Sequence, residues 1–147
     1  MSLDNLVGLS LERIESDPFT IQRLMEAAKR NFKDSQITAV SNENRFDAAY
    51  KAIMQISNAA LQANGYRTLT SKPGHHQTMI QTLPRTIGLD RETMIVLDAL
   101  RKQRNVADYS GDLVADSAVS ECIEHAEQLW MLLNEWLKRE HPEFIGE

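Results

Sequence analysis

Arg104 follows Leu97 by seven residues and Leu100 by four, so on a helix its guanidinium is directed toward the apolar side. An inward arginine needs a partner. A phosphate would be held bidentately by the planar fork. A carboxylate would serve structurally, as would the open carbonyls of a helix end, where Arg101, Lys102 and Arg104 are all favoured by the dipole. Tyr109 lies five positions further on, a rotation of roughly 140° on an unbroken helix. The two side chains converge only if the helix ends between them, and the turn-like Tyr109-Ser110-Gly111-Asp112 points to such an end. Tyr109 is then either beside a basic helix end or packed at a helix junction with its hydroxyl wet.

His75 and His76 are the next residues with chemical potential. Neighbours on a helix point about 100° apart and lack the i,i+4 spacing by which two histidines grip one metal. One of them either lines a phosphate site near Lys72 or simply packs the helix start. No Glu-x-x-His and no His-Glu-x-x-His occurs, which removes the usual di-metal and zinc-protease signatures, and no metal site or cofactor is expected. Cys122 falls on an apolar stripe between Val119 and Ala126 and reads as a buried, inert thiol. Trp130 and Trp136 read as core or dimer contacts. Glycine is too sparse for a phosphate-cradling loop.

These residues must be positioned by helices, because apolar residues recur at helical spacing in almost every segment and no alternating run argues for a sheet. Residues 1–16 read as an N-terminal extension or short helix, amphipathic from Leu3 to Ile14. Asp17 caps a first long helix with Pro18 at its first position and an apolar stripe through Ile21, Leu24, Met25, Ala28 and Phe32, fading by about Ile37 to Ser41. A second runs from Ser41 or Asn42 to Asn64-Gly65, with Phe46, Ala49, Tyr50, Ile53, Ile56, Ser57, Ala60 and Leu61 on one face. Tyr66 to Gly74 reads as a loop. A short third helix carries Met79, Ile80 and Leu83 until Pro84 and Gly88 end it, and Asp90 caps a fourth bearing Met94, Leu97, Leu100, Arg101 and Arg104. The last carries Val119 to Leu137 and stops near Glu140 to Pro142. The predicted fold is all-α: one domain over 1–147, an antiparallel up-and-down bundle of four main helices plus a short N-terminal helix.

Composition agrees with a folded domain. The 147 residues are 42% hydrophobic and 25% charged, too apolar and too mixed in charge for a disordered chain. The net charge of −5 confines any nucleic-acid site to a local basic patch. One cysteine forms no intramolecular disulfide, and no stretch approaches the roughly 20 apolar residues a membrane span needs, so a cytoplasmic location is expected.

The segment Leu100-Arg101-Lys102-Gln103-Arg104-Asn105-Val106-Ala107-Asp108-Tyr109 resembles the signature of HEPN domains, an arginine, four to six residues of which the first is often polar, then a histidine. Arg104 matches the arginine and Asn105 the polar residue. The long helix before it and the Lys72-Pro73-Gly74-His75-His76 opening add a second resemblance, which covers roughly Ser41 to Leu137. It implies a helical bundle that dimerises, RNA or a nucleotide as ligand, and either a metal-independent endoribonuclease or, as in toxin–antitoxin or defence systems, a regulatory module with a nucleotidyltransferase-type protein partner. Where the nuclease signature has histidine this chain has Tyr109, and a phenol with pKa about 10 is a poor base at neutral pH. The Ala107-Asp108-Tyr109 ending is similar to HEPN variants read as non-catalytic. Implied site residues are Arg104, Asn105 and Tyr109 for chemistry, and Arg101, Lys102, Asp108, Lys72, His75 and His76 for binding. An interaction bundle without ligand is the remaining alternative.

Overall fold

The computed structural model describes residues 2–111 and 113–145, so Asp112 of the expected turn lies outside the described residues. Six helices and one small sheet make up the described chain, and the class is all-α. In α1, Pro18–Ser35, the Asp17 carboxylate accepts from the Phe19 N–H at 3.1 Å and the Thr20 hydroxyl at 2.8 Å, satisfying donors that the helix itself leaves open. The helix stops at Ser35, short of the expected fade, because Arg45 Nε takes the Ser35 carbonyl at 2.8 Å and pins the turn there.

Helix α2, Asn42–Ala63, begins under the Ser41 cap and is the centre of the molecule. From Phe46 to Ala63 it is buried well beyond a single stripe, with Ala49, Ala52, Ala59 and Ala60 letting neighbours approach closely. The buried Ser57 hydroxyl donates to the Ile53 carbonyl at 2.8 Å, so that polar atom carries no desolvation penalty. Helix α1 and the last helix, α6, Asp116–Glu140, pack along α2. Val119, Cys122, Ala126, Leu129, Leu133 and Leu137 of α6 are buried, and Trp130 Nε1 donates to the Met25 carbonyl at 3.1 Å.

The N-terminal expectation needs correcting. Only Leu3–Leu6 is helical, as a 3-10 turn, and β1, Leu11–Arg13, pairs antiparallel with β2, Tyr66–Thr68, where a loop is expected. Three-residue strands are too short to register as a periodicity, and the pairing spans more than fifty positions of sequence. Its reason is burial: Leu11 is fully buried opposite Thr68, while Asp4 accepts from the Tyr66 hydroxyl and pairs with Arg13 at 2.8 Å.

The third helix is also divided. Helix α3, His75–Gln81, is followed by a single turn α4, Leu83–Thr86, which contains Pro84 in its first turn rather than being stopped by it. Thr82 separates the two, its hydroxyl bonding back to the Thr78 and Met79 carbonyls at 2.9 and 3.1 Å. Helix α5, Arg91–Ser110, starts under Asp90, whose carboxylate accepts the Thr93 N–H at 3.0 Å, and ends on Gly111 at φ 70°. It buries only Leu97 and Leu100. Among the described residues no helix is long and apolar enough to cross a membrane.

Candidate functional site

Helices α2, α3 and α5 enclose a pocket of about 290 Å³ with Asp47, Tyr50 and Lys51 on α2, His76 on α3 and Arg104 on α5, over Met54 and Met79. Arg104 reaches it because α5 is turned with Leu97 and Leu100 inward, and the i+4 and i+7 spacing carries the guanidinium to the same side. Its Nε is 3.1 Å from Asp47 Oδ1 and 3.2 Å from Asp108 Oδ2, and its Cζ lies 5.4 Å from the centre of the Tyr50 ring. Both carboxylates act on Nε. Among the described residues the two terminal guanidinium nitrogens of Arg104 donate no hydrogen bond, although the group as a whole is paired with both acids, and the Lys51 ammonium makes no ion pair.

Tyr50 and His76 form the other half of the pocket. The Tyr50 oxygen is 3.2 Å from His76 Nδ1. Burial pushes the Tyr50 phenol up to about 12, with Arg104 and Arg101 opposing that rise. Burial first, then His75, Arg104 and Arg101, hold His76 below the usual imidazole value. A phenol that keeps its proton beside an imidazole that resists gaining one leaves a neutral pair joined by one hydrogen bond, its direction set by the imidazole tautomer. The pocket therefore offers a cation, a neutral imidazole and an aromatic face next to one another.

The sequence-derived residues are distributed unevenly around this pocket. Arg104 and His76 line it, and Asp108 touches it through Arg104. Arg101 is instead committed to Asp98 at 2.8 Å, and Lys102 lies outside at 3.7 Å from the same carboxylate. His75 packs edge-on against His76 with ring centres 4.7 Å apart. Asn105 and Lys72 do not line the pocket, and Lys72 is exposed.

Tyr109 requires a correction. Helix α5 continues unbroken through Ser110, so the rotation of roughly 140° between Arg104 and Tyr109 stands. Tyr109 is 94% exposed and does not converge with Arg104 in one chain. The turn signal at Ser110-Gly111 marks a helix end that lies beyond Tyr109, too late to bring them together. The residues not foreseen are Asp47 and Lys51, and Tyr50 was expected only in the core. A tyrosine hydroxyl inside an apolar stripe, needing a partner once buried, is the sequence signal that points there.

Among the described residues no group of three His, Cys, Asp or Glu side chains is placed to hold a metal ion. The chain matches no family model, no curated protein and no solved structure.

Proposed function

We propose that this chain is a HEPN-like module that binds RNA or a nucleotide through the Arg104 pocket and is weak or inactive as a nuclease. The observation that carries the reading is Arg104 in the pocket with no hydrogen bond from its terminal nitrogens, beside Lys51 and the Tyr50 ring. A phosphate would take the guanidinium edge and the ammonium, and a base or ribose would lie on the apolar floor. The antiparallel arrangement of four long helices, the cytoplasmic setting and a nucleotidyltransferase-type partner belong to the same reading.

A homodimer belongs to it as well. Ile95, Val106 and Tyr109 are 58%, 61% and 94% exposed and fall within roughly 60° of one another on the outer side of α5. A second copy packing on that stripe gives Tyr109 a partner that its own chain does not supply. Fluorescence anisotropy of a labelled single-stranded RNA and of a labelled nucleotide, with native protein and Arg104→Ala, tests the ligand. Light scattering tests the dimer. Equal binding by both proteins would move the ligand to another surface, and none by either leaves the interaction bundle without ligand; in both cases Arg104 is a structural cation between Asp47 and Asp108.

One observation favours a second reading. His76 shares the pocket with Arg104, so the pocket holds a histidine although the signature segment does not. An endoribonuclease would then use His76 for proton transfer at the attacking ribose 2′-hydroxyl and Arg104 for the charge on the phosphorane. Cleavage of RNA to a 2′,3′-cyclic phosphate, lost in His76→Ala, would establish it; intact RNA beside an active control rejects it.

A further inference from the structure

A different cavity lies on the far side of α3. Successive helical residues turn about 100°, so Thr78 and Gln81 face away from His76 and Met79. They line a groove of about 310 Å³ with Ser10, Arg85 of α4 and Arg91 at the first position of α5. Two guanidiniums line this groove and no carboxylate does. Neither Arg85 nor Arg91 makes an ion pair among the described residues, in a chain where acidic side chains outnumber basic ones, 21 to 16.

Arg91 is also locally out of place. A cation in the first turn of a helix is opposed by the positive end of the helix dipole. Two acids of the same turn offset this charge, Asp90, which accepts the Thr93 N–H at 3.0 Å and its hydroxyl at 2.7 Å, and Glu92, but neither lines the groove. Gln81 and Ser10 add an amide and a hydroxyl that make no side-chain hydrogen bond among the described residues. Two like charges and two polar side chains thus line one groove. An anion satisfies all of these at once.

We propose that this groove is a second anion site, independent of the Arg104 pocket, and that it takes a phosphate group. Each guanidinium fork matches two phosphate oxygens, and a free or terminal phosphate has enough acceptors for Arg85, Arg91 and the Gln81 amide together, while the two non-bridging oxygens of a phosphodiester suffice for the arginines. The phosphate is either a free or terminal one or a phosphodiester of a nucleic-acid strand, and the chemistry of capture is shared.

The test is a titration of the full chain followed by NMR at constant ionic strength, reading the Arg side-chain Nε–H and the backbone amides of Arg85, Arg91 and Gln81. Inorganic phosphate and an RNA pentamer with hydroxyl ends are the two probes, with sodium acetate as the control. Saturable shifts confined to this groove are expected with at least one probe. Arg85→Gln/Arg91→Gln should weaken them about tenfold or more, the loss expected on removing charged donors. Arg85→Lys/Arg91→Lys, which keeps charge but loses the fork, should weaken them less. Saturation with phosphate assigns a free or terminal group, and saturation with the pentamer alone assigns a strand. Both side chains are exposed, and an unchanged circular dichroism melt verifies that each variant is folded. The proposal is overturned if neither probe moves these resonances, if acetate moves them equally, or if the double Gln variant binds like the native chain. Arg104→Ala should leave these shifts intact whether or not it abolishes binding in the other pocket, so the two sites stand or fall separately.

Discussion

Asp47 on α2 and Arg104 on α5 are 57 positions apart in sequence and 3.1 Å apart in the fold, with the carboxylate on Nε rather than on the outer edge of the guanidinium. The acid therefore orients the arginine while leaving its bidentate face open. It also competes for the charge that a phosphate would use. With side chains 40% and 30% exposed, the pair contributes at most about 1 kcal/mol to stability. Asp47→Asn should then tighten binding of a phosphate-bearing ligand severalfold while costing little in melting temperature. Anisotropy alongside a thermal melt measures both, and weaker binding in Asp47→Asn would show that orientation outweighs charge.

His76 gives a pH dependence with a defined sign. Its pKa is lowered in the folded chain, so the unfolded state takes up the proton more readily. The stability it supports is fully present above the unfolded imidazole value of about 6.5 and declines as pH falls through it, levelling off below the folded value. Denaturant melts from pH 8 to pH 5 should show this decline in native protein and a shallower one in His76→Gln. Identical slopes would remove His76 from the account.

Tyr109 and Arg104 should separate cleanly by mutation. Tyr109→Ala removes a side chain that is 94% exposed and should change monomer stability by no more than about 0.5 kcal/mol. If α5 forms the proposed dimer face, the same change weakens association. Sedimentation of Tyr109→Ala at several concentrations reads this directly, and an unaltered association state would assign the dimer to another surface.

Much of this molecule was legible in its sequence because the signals were local. Asp17 with Pro18, Ser41, and Asp90 each mark a helix start through a side chain that reaches only a few residues along. The stripe on α6 placed Cys122 and Leu133 in the core for the same reason. The Leu11 to Thr68 pairing and the Asp47 to Arg104 contact depend on how helices meet across the fold, and no spacing rule carries that information. Tyr109 shows the limit from the other direction. The glycine at 111 did end α5, but a shift of a few residues in that end decides which way a side chain faces.

Cys122 is buried, and that burial pushes its thiol up to about 12. At neutral pH it holds almost no reactive thiolate, and a reagent reaches it only when the core opens. A chromogenic disulfide should label the native protein slowly and the denatured protein within the mixing time. Immediate labelling of native protein would contradict the packing of α6 on α2.

Arg91 offers a stability test unconnected with any ligand. Replacing it with an acid puts the charge favoured by the dipole at the start of α5 but between Asp90 and Glu92, so Arg91→Glu should raise stability by well under about 1 kcal/mol at low salt. The gain should shrink as salt is added. Loss of stability instead would mean that Arg91 already has a compensating partner.

Helix α5 is fastened to the body by two buried leucines, the partly buried Met94 and Ala107 and the Arg104–Asp47 pair, whereas α2 is enclosed along most of its length. The wall that carries Arg104 is therefore attached far more lightly than the wall that carries Tyr50. In native-state hydrogen exchange the amides of α2 should report global unfolding, and those after Leu100 should exchange through small local excursions. Entry to the pocket then requires no disturbance of the core, and an occupant bridging the two walls would register as slowed exchange along the second half of α5.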